Sequence, residues 1–332
     1  MKLETEQDSY EWLWAAKALA AVSAWSGLGL FERLRAGPLP RGELGVDPRA
    51  LAVTVPVLQH VGLVDTDGDR VGLSPTAERL LATGAMPTAR NLDHLRDLGR
   101  MLEVLRDGGP VRGDDGKSKA TRGGTVDDPE QTERFLDYLW RISEAPAKST
   151  LAWLGADLAP GAAVLDLGGG HGRYARAFAD VGHVVTLFDQ PSVVAISRKR
   201  HGDALHYLEG DFHTVESFGG PYDLALLCNV VHGESDAANA SLVARVARSL
   251  RPGGRIAIRD MFVDDFGQDP ASAVFFGMTM LFYTDHGTSP TLPQARAWLE
   301  AAGLRDVRTS VFESHQIVSA RRPRADPPRT TQ

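Results

Sequence analysis

The chain has 332 residues, of which 43% are apolar and 24% charged, so it is long enough for a catalytic domain and a smaller companion. Its formal net charge of −7 offers no electrostatic attraction to nucleic acid or to anionic membranes, and we predict neither as a partner. The single cysteine, Cys228, cannot form an internal disulfide, which suits a reducing cytoplasm.

Residues 1–105 are predicted to form a mainly helical domain. The apolar stretch 18–31 is too short to span a bilayer, and we interpret it as a core or interface helix. A further helix is predicted from Pro48 to Val61, and the segments after it flank the turn Asp67-Gly68, which predicts a hairpin. A helix followed by such a hairpin is the outline of a winged helix.

Residues 106–159 are predicted as a flexible loop and a linking helix. The stretch 107–128 holds six glycines and almost no large apolar residues, so it should be mobile. The linking helix is expected from about Glu130 to Leu154. At the other end of the chain, residues 321–332 are rich in proline and arginine and are predicted to be a disordered tail.

Residues 160–320 alternate between strand and helix patterns. Strands are predicted at 163–167, 184–188, 222–231 and 255–262, and the third is apolar almost throughout, as in a strand buried on both faces. This alternation predicts an α/β fold with a doubly wound, mostly parallel sheet.

A glycine-rich loop follows the first of these strands, where such a sheet binds its ligand. It carries Asp166 and then glycine at 168, 169, 170 and 172, which lets the backbone approach a ligand closely. Arg173 stands where a dinucleotide fold would have its third glycine, which disfavours an NAD-linked oxidoreductase. Asp166 would repel a pyrophosphate but suits a ligand with cationic amino and sulfonium groups.

Two further acids end or follow the next strands. Asp189 can accept both ribose hydroxyls of a nucleoside, while Asp211 offers a carboxylate for an adenine amino group and Phe212 a ring for its face. One aspartate at such a position is more often a structural cap. Three of them, together with the glycine loop, predict a nucleoside-binding site.

A family resemblance runs through most of the chain. The segments VLDLGGGHG, FDQPSVV, GDFHTV, NVVH and LRPGGRIAI resemble, in this order, small-molecule O-methyltransferases of the plant caffeic acid and bacterial polyketide type. The resemblance implies a class I, Rossmann-like methyltransferase domain and S-adenosylmethionine as cofactor. It also implies a homodimer formed through an N-terminal winged-helix domain. The family's cofactor positions fall on Gly168, Gly170, Asp189, Asp211 and Phe212, and a lysine contact of the plant enzymes corresponds to Cys228.

The predicted catalytic pair is His232 and Asp260. His232 follows a predicted buried strand and Asp260 ends the next, so the carboxylate can orient the imidazole as a base for a hydroxyl. The resemblance places the family's catalytic histidine at His232 and an assisting glutamate at Asp260. We therefore expect methyl transfer to a hydroxyl of a small aromatic or polyketide-like metabolite.

Two departures from the family leave an alternative open. The family continues its histidine with Asp-Trp, but here Gly233 and Glu234 follow, and a second assisting glutamate corresponds to Ser289. Some relatives methylate a carbon of 2-oxo acids with a metal held by two histidines, which correspond to His232 and a position near His286. Metal-dependent C-methylation is therefore the alternative, whereas the base hypothesis needs no metal.

A DNA-binding regulator is the third and least favoured function. Winged helices often bind DNA, but residues 1–90 contain nine Lys/Arg against eleven Asp/Glu. The helix 48–61 offers only Arg49 to phosphates. The apolar N-terminal helix around Trp12, Trp14 and Trp25 is instead expected to be buried against a second subunit.

Overall fold

The computed structural model describes residues 2–113, 116, 118, 129–312 and 315–324. It contains two compact units, Met1–Leu102 and Glu103–Gln332. Much of the predicted mobile loop and most of the predicted tail lie outside the described residues. Arg321, which was predicted to belong to the tail, instead ends a strand, and the Arg322 amide donates to the Gly254 carbonyl at 2.8 Å.

The first unit combines helices with a small antiparallel sheet. Its helices are α1 (Glu6–Gly27), α2 (Leu30–Leu34), α3 (Pro48–His60), α4 (Pro75–Thr83) and α5 (Arg90–Leu98), followed by α6 (Met101–Asp107) at the boundary. Its strands are β1 (Leu39–Pro40), β2 (Val64–Asp67) and β3 (Arg70–Leu73), in the order β1-β3-β2. No helix in the described part of the chain is long and apolar enough to cross a membrane.

The predicted helix and hairpin of this unit are present. The Asp47 side chain caps α3 by accepting from the Ala50 amide, and Pro48 occupies the first turn, where its missing N–H is harmless. Gly62, at φ +73°, allows the chain to leave the helix for β2. Gly68, at φ +57°, then makes the turn into β3.

The predicted linking helix is two helices. They are α7 (Pro129–Ile142) and α8 (Glu144–Gly155), separated at Ser143. Pro146 explains the break, because it has no N–H for the Ile142 carbonyl and its ring would clash with that carbonyl in a continuous helix. The prediction of a single helix from Glu130 to Leu154 was therefore wrong.

The second unit contains the large sheet. Its strands are β4 (Ala163–Leu167), β5 (Val184–Asp189), β6 (His206–Glu209), β7 (Tyr222–Cys228), β8 (Leu250–Asp260), β9 (Arg305–Phe312) and β10 (His315–Arg321). Its remaining helices are α9 (Arg173–Ala179), α10 (Pro191–His201), α11 (Asp236–Arg248), α12 (Ala271–Tyr283) and α13 (Leu292–Ala301).

The sheet order is β6-β5-β4-β7-β8-β10-β9, parallel through β8 and antiparallel at β10 and β9. One face packs against residues of α8, α9 and α10, and the other against α11 and α13. The predicted doubly wound α/β fold is confirmed. The strand order reverses between β4 and β7, and that reversal opens a crevice at their carboxyl ends.

Strand β7 ends earlier than predicted. It stops at Cys228 instead of Val231, because Asn229 adopts a left-handed conformation with φ +59°. A short 3₁₀ turn, Val231–Gly233, follows at once. The chain thus turns away from the sheet just before His232, and this turn places His232 at the sheet's carboxyl edge.

Candidate active site

The glycine loop joins β4 to α9 along the carboxyl edge of the sheet. Gly168, Gly170 and Gly172 all have positive φ, at +66°, +52° and +72°. A Cβ at Gly168 would lie 2.8 Å from a methyl carbon of Val230, so the loop passes directly against the segment that leads to His232. The loop therefore needs glycine both for its dihedrals and for its close approach to the segment that follows β7.

Asp166 lies beneath this loop and is 1% exposed. Its Oδ2 accepts from the Ala175 amide of α9 at 3.0 Å, but its buried Oδ1 has no hydrogen-bond partner. Burial, with the nearby charge of Asp189, raises the pKa of Asp166 to about 7. A buried carboxylate oxygen without a donor is an unsatisfied acceptor, which a cationic ligand group would satisfy.

Asp189, at the end of β5, anchors the loop. One carboxylate oxygen accepts from the Gly170 amide at 2.8 Å and the other from the Gln190 amide at 2.7 Å. Burial raises the pKa of Asp189. The structure thus places Asp166, Gly168, Gly170 and Asp189 together, as the sequence predicts.

Asp211 and Phe212 lie beside them, since the Gly210 amide donates to the Asp189 carbonyl at 3.0 Å. Asp211 Oδ1 accepts from both the amide and the Nδ1 of His213, at 2.9 and 2.7 Å. Burial favours a higher pKa for Asp211, but the bonds and charge of His213 lower it overall. The half-buried Phe212 ring lies 4.3 Å from the His213 ring, between centroids.

His232 and Asp260 form a hydrogen-bonded pair. The His232 Nδ1 lies 2.8 Å from Asp260 Oδ1, and the His232 amide donates to Asp260 Oδ2 at 3.3 Å. The Met261 amide also donates to Oδ1, and the carboxylate is fully buried. The pair therefore fixes both the backbone and the ring of His232.

The electrostatics of this pair favour a charged imidazole. Burial opposes that charge, but the Asp260 carboxylate raises the pKa of His232 overall, with a smaller contribution from Glu234. Burial likewise opposes the charge of Asp260, yet His232 lowers the pKa of that carboxyl overall. Because Nδ1 faces Asp260, Nε2 is the ring nitrogen left to meet a substrate.

A second acid near His232 is Glu234. Ser289, which corresponds to the family's glutamate, donates instead to the Ala273 carbonyl of α12 at 2.6 Å and so ties down that helix. Glu234 supplies negative charge near His232 and lies 3.0 Å from the Nε2 of His213. His213 thereby connects Asp211 with the segment after His232, a link that the sequence analysis missed.

The metal-dependent alternative finds no support. His286 is exposed, and the described residues contain no group of three or more His, Cys, Asp or Glu side chains arranged to hold a metal ion. The Nδ1 of His232 is already bonded to Asp260. Pairing with a buried carboxylate suits proton transfer.

A second residue missed from the sequence is Arg259, which precedes Asp260 on β8 and is 2% exposed. An arginine inside an apolar strand is unusual, because a strand of a parallel sheet is buried on both faces. The arginine at the end of the apolar run Ile256-Ala257-Ile258-Arg259 could have drawn attention to this residue from the sequence alone.

Residues 118–305 match a family described as the O-methyltransferase domain. The chain is 27% identical over 321 residues to the tetracenomycin polyketide synthesis 8-O-methyltransferase TcmO of Streptomyces glaucescens, covering 90% of this chain and 91% of TcmO. It superimposes on the mitomycin 7-O-methyltransferase MmcR with a TM-score of 0.81 and 25% identity, covering 96% of this chain and 97% of MmcR.

The fold is also that of human N-acetylserotonin methyltransferase, solved in complex with S-adenosylmethionine. The TM-score is 0.79 at 20% identity, over 97% of this chain and all of the human chain. The family match covers more than half of the chain and includes the glycine loop, His232 and Asp260. The chain therefore belongs to the O-methyltransferase family and is an S-adenosylmethionine-dependent methyltransferase.

Proposed function

We propose that this enzyme methylates a hydroxyl of an aromatic or polyketide-like small molecule, with His232 as general base. The observation that carries the proposal is the 2.8 Å bond between His232 and the fully buried Asp260, next to the glycine loop. Asp260 acts as a positioning residue, holding the imidazole through Nδ1 and stabilising its charged form.

The residues of the loop fit the cofactor. The oxygen of Asp166 that lacks a donor suits the ammonium group, Asp189 suits the ribose hydroxyls, and Asp211 with Phe212 suits the adenine. Gly168 and Gly170 leave the backbone open to close approach. When bound, S-adenosylmethionine supplies the methyl group on an electrophilic sulfonium.

The protein's part in the reaction is alignment and proton transfer. The neutral His232 takes the proton of the acceptor hydroxyl at Nε2, which raises the nucleophilicity of the oxygen. Because the pKa of His232 is raised, its imidazole binds this proton more tightly than an ordinary histidine would. Low exposure of the pair limits competing water.

The side chains around His232 support an aromatic acceptor. The ring of Phe276 on α12 meets the His232 ring edge-on, with centroids 4.9 Å apart. Phe275 and Met278 on the same helix are also apolar and are 53% and 37% exposed. TcmO and MmcR, whose names refer to a polyketide and to mitomycin, are consistent with such an acceptor.

The decisive experiment compares two histidine variants. We expect His232→Ala to lower turnover about 100-fold or more while leaving the Kd for S-adenosylmethionine nearly unchanged. His286→Ala is the matched control and should retain activity, as should enzyme treated with EDTA. A bound transition metal lost from His286→Ala, together with activity, would overturn the base assignment in favour of C-methylation.

We propose that the first unit is a winged-helix dimerisation domain, which corresponds to the predicted domain 1–105. Trp12, Leu13 and Trp14 on α1 are 45%, 59% and 51% exposed, which is unfavourable for a free surface. The buried, free Cys228 supports the cytoplasmic location predicted from the sequence.

A further inference from the structure

Two of the three side-chain nitrogens of Arg259 are buried without a hydrogen-bond partner. The residue is 2% exposed, and the two nitrogens are Nε and Nη1. No carboxylate lies within 4 Å of its guanidinium among the residues that the structure describes. Among the described residues, the Tyr174 ring lies 5.4 Å from the guanidinium carbon, and Arg259 also interacts electrostatically with His315 and Cys228. A buried cation without a carboxylate partner is unfavourable, so an anion is expected to complete the site.

The sheet register places Arg259 with the cofactor residues. Asp166 pairs with Leu226, Leu226 pairs with Ala257, and Cys228 pairs with Arg259. Because side chains alternate along strands, Asp166, Cys228 and Arg259 point to the same face of the sheet. Asp260, the next residue after Arg259, points to the opposite face, toward His232. Arg259 and Asp260, although adjacent on β8, therefore lie on opposite faces of the sheet.

This face of the sheet carries two unsatisfied groups of opposite charge. Asp166 has an oxygen without a donor, and Arg259 has nitrogens without an acceptor. They do not form an ion pair with each other. Both act on the pKa of the Cys228 thiol, which burial raises most, Asp166 raises further and Arg259 lowers. A ligand that satisfies both must itself carry a cation and an anion close together.

We propose that Arg259 binds the carboxylate of the methionine end of S-adenosylmethionine, while Asp166 holds the neighbouring ammonium. The proposal rests on the cofactor assignment made above and deepens it. The methionine end is a zwitterion, and its two charges match the two unsatisfied groups on this face. Arg259 would thus select the complete cofactor over nucleosides that lack the amino acid.

Calorimetry with two ligands tests this directly. Wild-type protein is titrated with S-adenosylmethionine and with decarboxylated S-adenosylmethionine, which keeps the amine and the sulfonium. We expect the second to bind about 100-fold more weakly. Arg259→Met should weaken S-adenosylmethionine by about the same factor, yet bind the decarboxylated ligand at least as well as wild type does.

Three control variants accompany these titrations. Asp189→Ala should weaken both ligands equally, because the ribose is common to them. Arg308→Met, which removes an exposed arginine of β9, should change neither affinity. Arg259→Lys keeps the charge but not the fork of donors, and should fall between wild type and Arg259→Met.

Thermal unfolding separates binding from a structural role. Without ligand, Arg259→Met should keep or raise the wild-type Tm, because it removes an unpaired buried cation. If the Arg259 side chain stabilised the fold, its replacement by methionine would instead lower the Tm. Addition of S-adenosylmethionine should then raise the Tm less in Arg259→Met than in wild type.

The outcomes are distinct. Equal affinity of Arg259→Met and wild type for S-adenosylmethionine overturns the inference, and so does an equal loss for both ligands. If Arg259→Met does not fold, a wild-type ratio below about threefold between the two ligands overturns it as well. Failure of wild-type protein to bind S-adenosylmethionine at all would instead overturn the proposed function.

Discussion

At the scale of single residues, the proposed chemistry depends on how the Asp260 carboxylate changes the pKa of the His232 imidazole. Burial alone favours a neutral His232, and the Asp260 charge more than reverses this effect. The balance makes His232 a stronger base than an ordinary histidine, but it also means that more of it is protonated near neutral pH. Activity should therefore rise with pH, with its midpoint above the ordinary histidine range.

Asp260→Asn tests this balance. Removal of the charge leaves burial dominant, so the pKa of His232 falls and the acid limb of the kcat/KM profile moves to lower pH. We expect the plateau of kcat to fall about 100-fold, because the base is weaker and its tautomer is no longer fixed. Asp265→Asn, an exposed acid on the following loop, is the control. An unmoved or raised acid limb would exclude Asp260 from this role.

The raised pKa of Asp166 leads to a second prediction at this scale. Its pKa of about 7 means that about half of the molecules carry a proton there at pH 7. A cationic ammonium favours the carboxylate, so binding should release about half a proton at pH 7. Calorimetry in buffers of different ionisation enthalpy measures this number. Release should vanish near pH 9, where Asp166 is already ionised, and fall in Asp166→Asn; uptake of protons would contradict the assignment.

At the scale of elements, the site depends on where strands end and on what the loops attach to. Asp189 shows this, because its two oxygens already bind the amides of Gly170 and Gln190. It therefore holds the glycine loop, in addition to its proposed contact with the ribose. Asp189→Ala should weaken S-adenosylmethionine by about 2–3 kcal/mol through loss of both roles. Unchanged affinity in a folded variant would remove Asp189 from the site.

The sequence predicted the elements better than their ends. Apolar runs and turn residues located β4, β5 and the hairpin, because local patterning decides these features. Pro146 was present in the sequence, but its effect on the linking helix was overlooked. The early end of β7 depends on a left-handed Asn229, which propensity does not reveal.

The site was predicted to a similar degree. Motif order brought together Asp166, Asp189, Asp211 and His232, since parallel strands end at one edge of the sheet. The contact between His213 and Glu234, 21 residues apart, depends on side-chain geometry across loops and had no sequence pattern. Arg259 is visible in the sequence as an arginine within an apolar strand. Only the structure shows that two of its nitrogens lack hydrogen-bond partners, which is the observation that suggests a ligand.

At the scale of the whole molecule, the apolar side chains of α1 argue for assembly. The prediction that Trp25 is buried against a second subunit was wrong, because Val22 and Trp25 are already buried within the first unit. Trp12, Leu13 and Trp14 are about half exposed. The Tyr10 and Trp14 rings stack with centroids 6.4 Å apart, so these two side chains form one exposed aromatic patch on α1. Such a surface is typical of the core of an interface between subunits.

Sedimentation of a charge variant tests this assembly. Wild-type protein should sediment as a dimer at micromolar concentration. Trp14→Glu should shift it to monomer, because an unpaired charge at the centre of an apolar interface weakens association by about 2 kcal/mol or more. Phe266→Glu is the matched control, since Phe266 is 83% exposed on the second unit and should leave the dimer intact. A wild-type monomer, or a Trp14→Glu dimer of unchanged stability, would show that this face of α1 does not form the subunit interface.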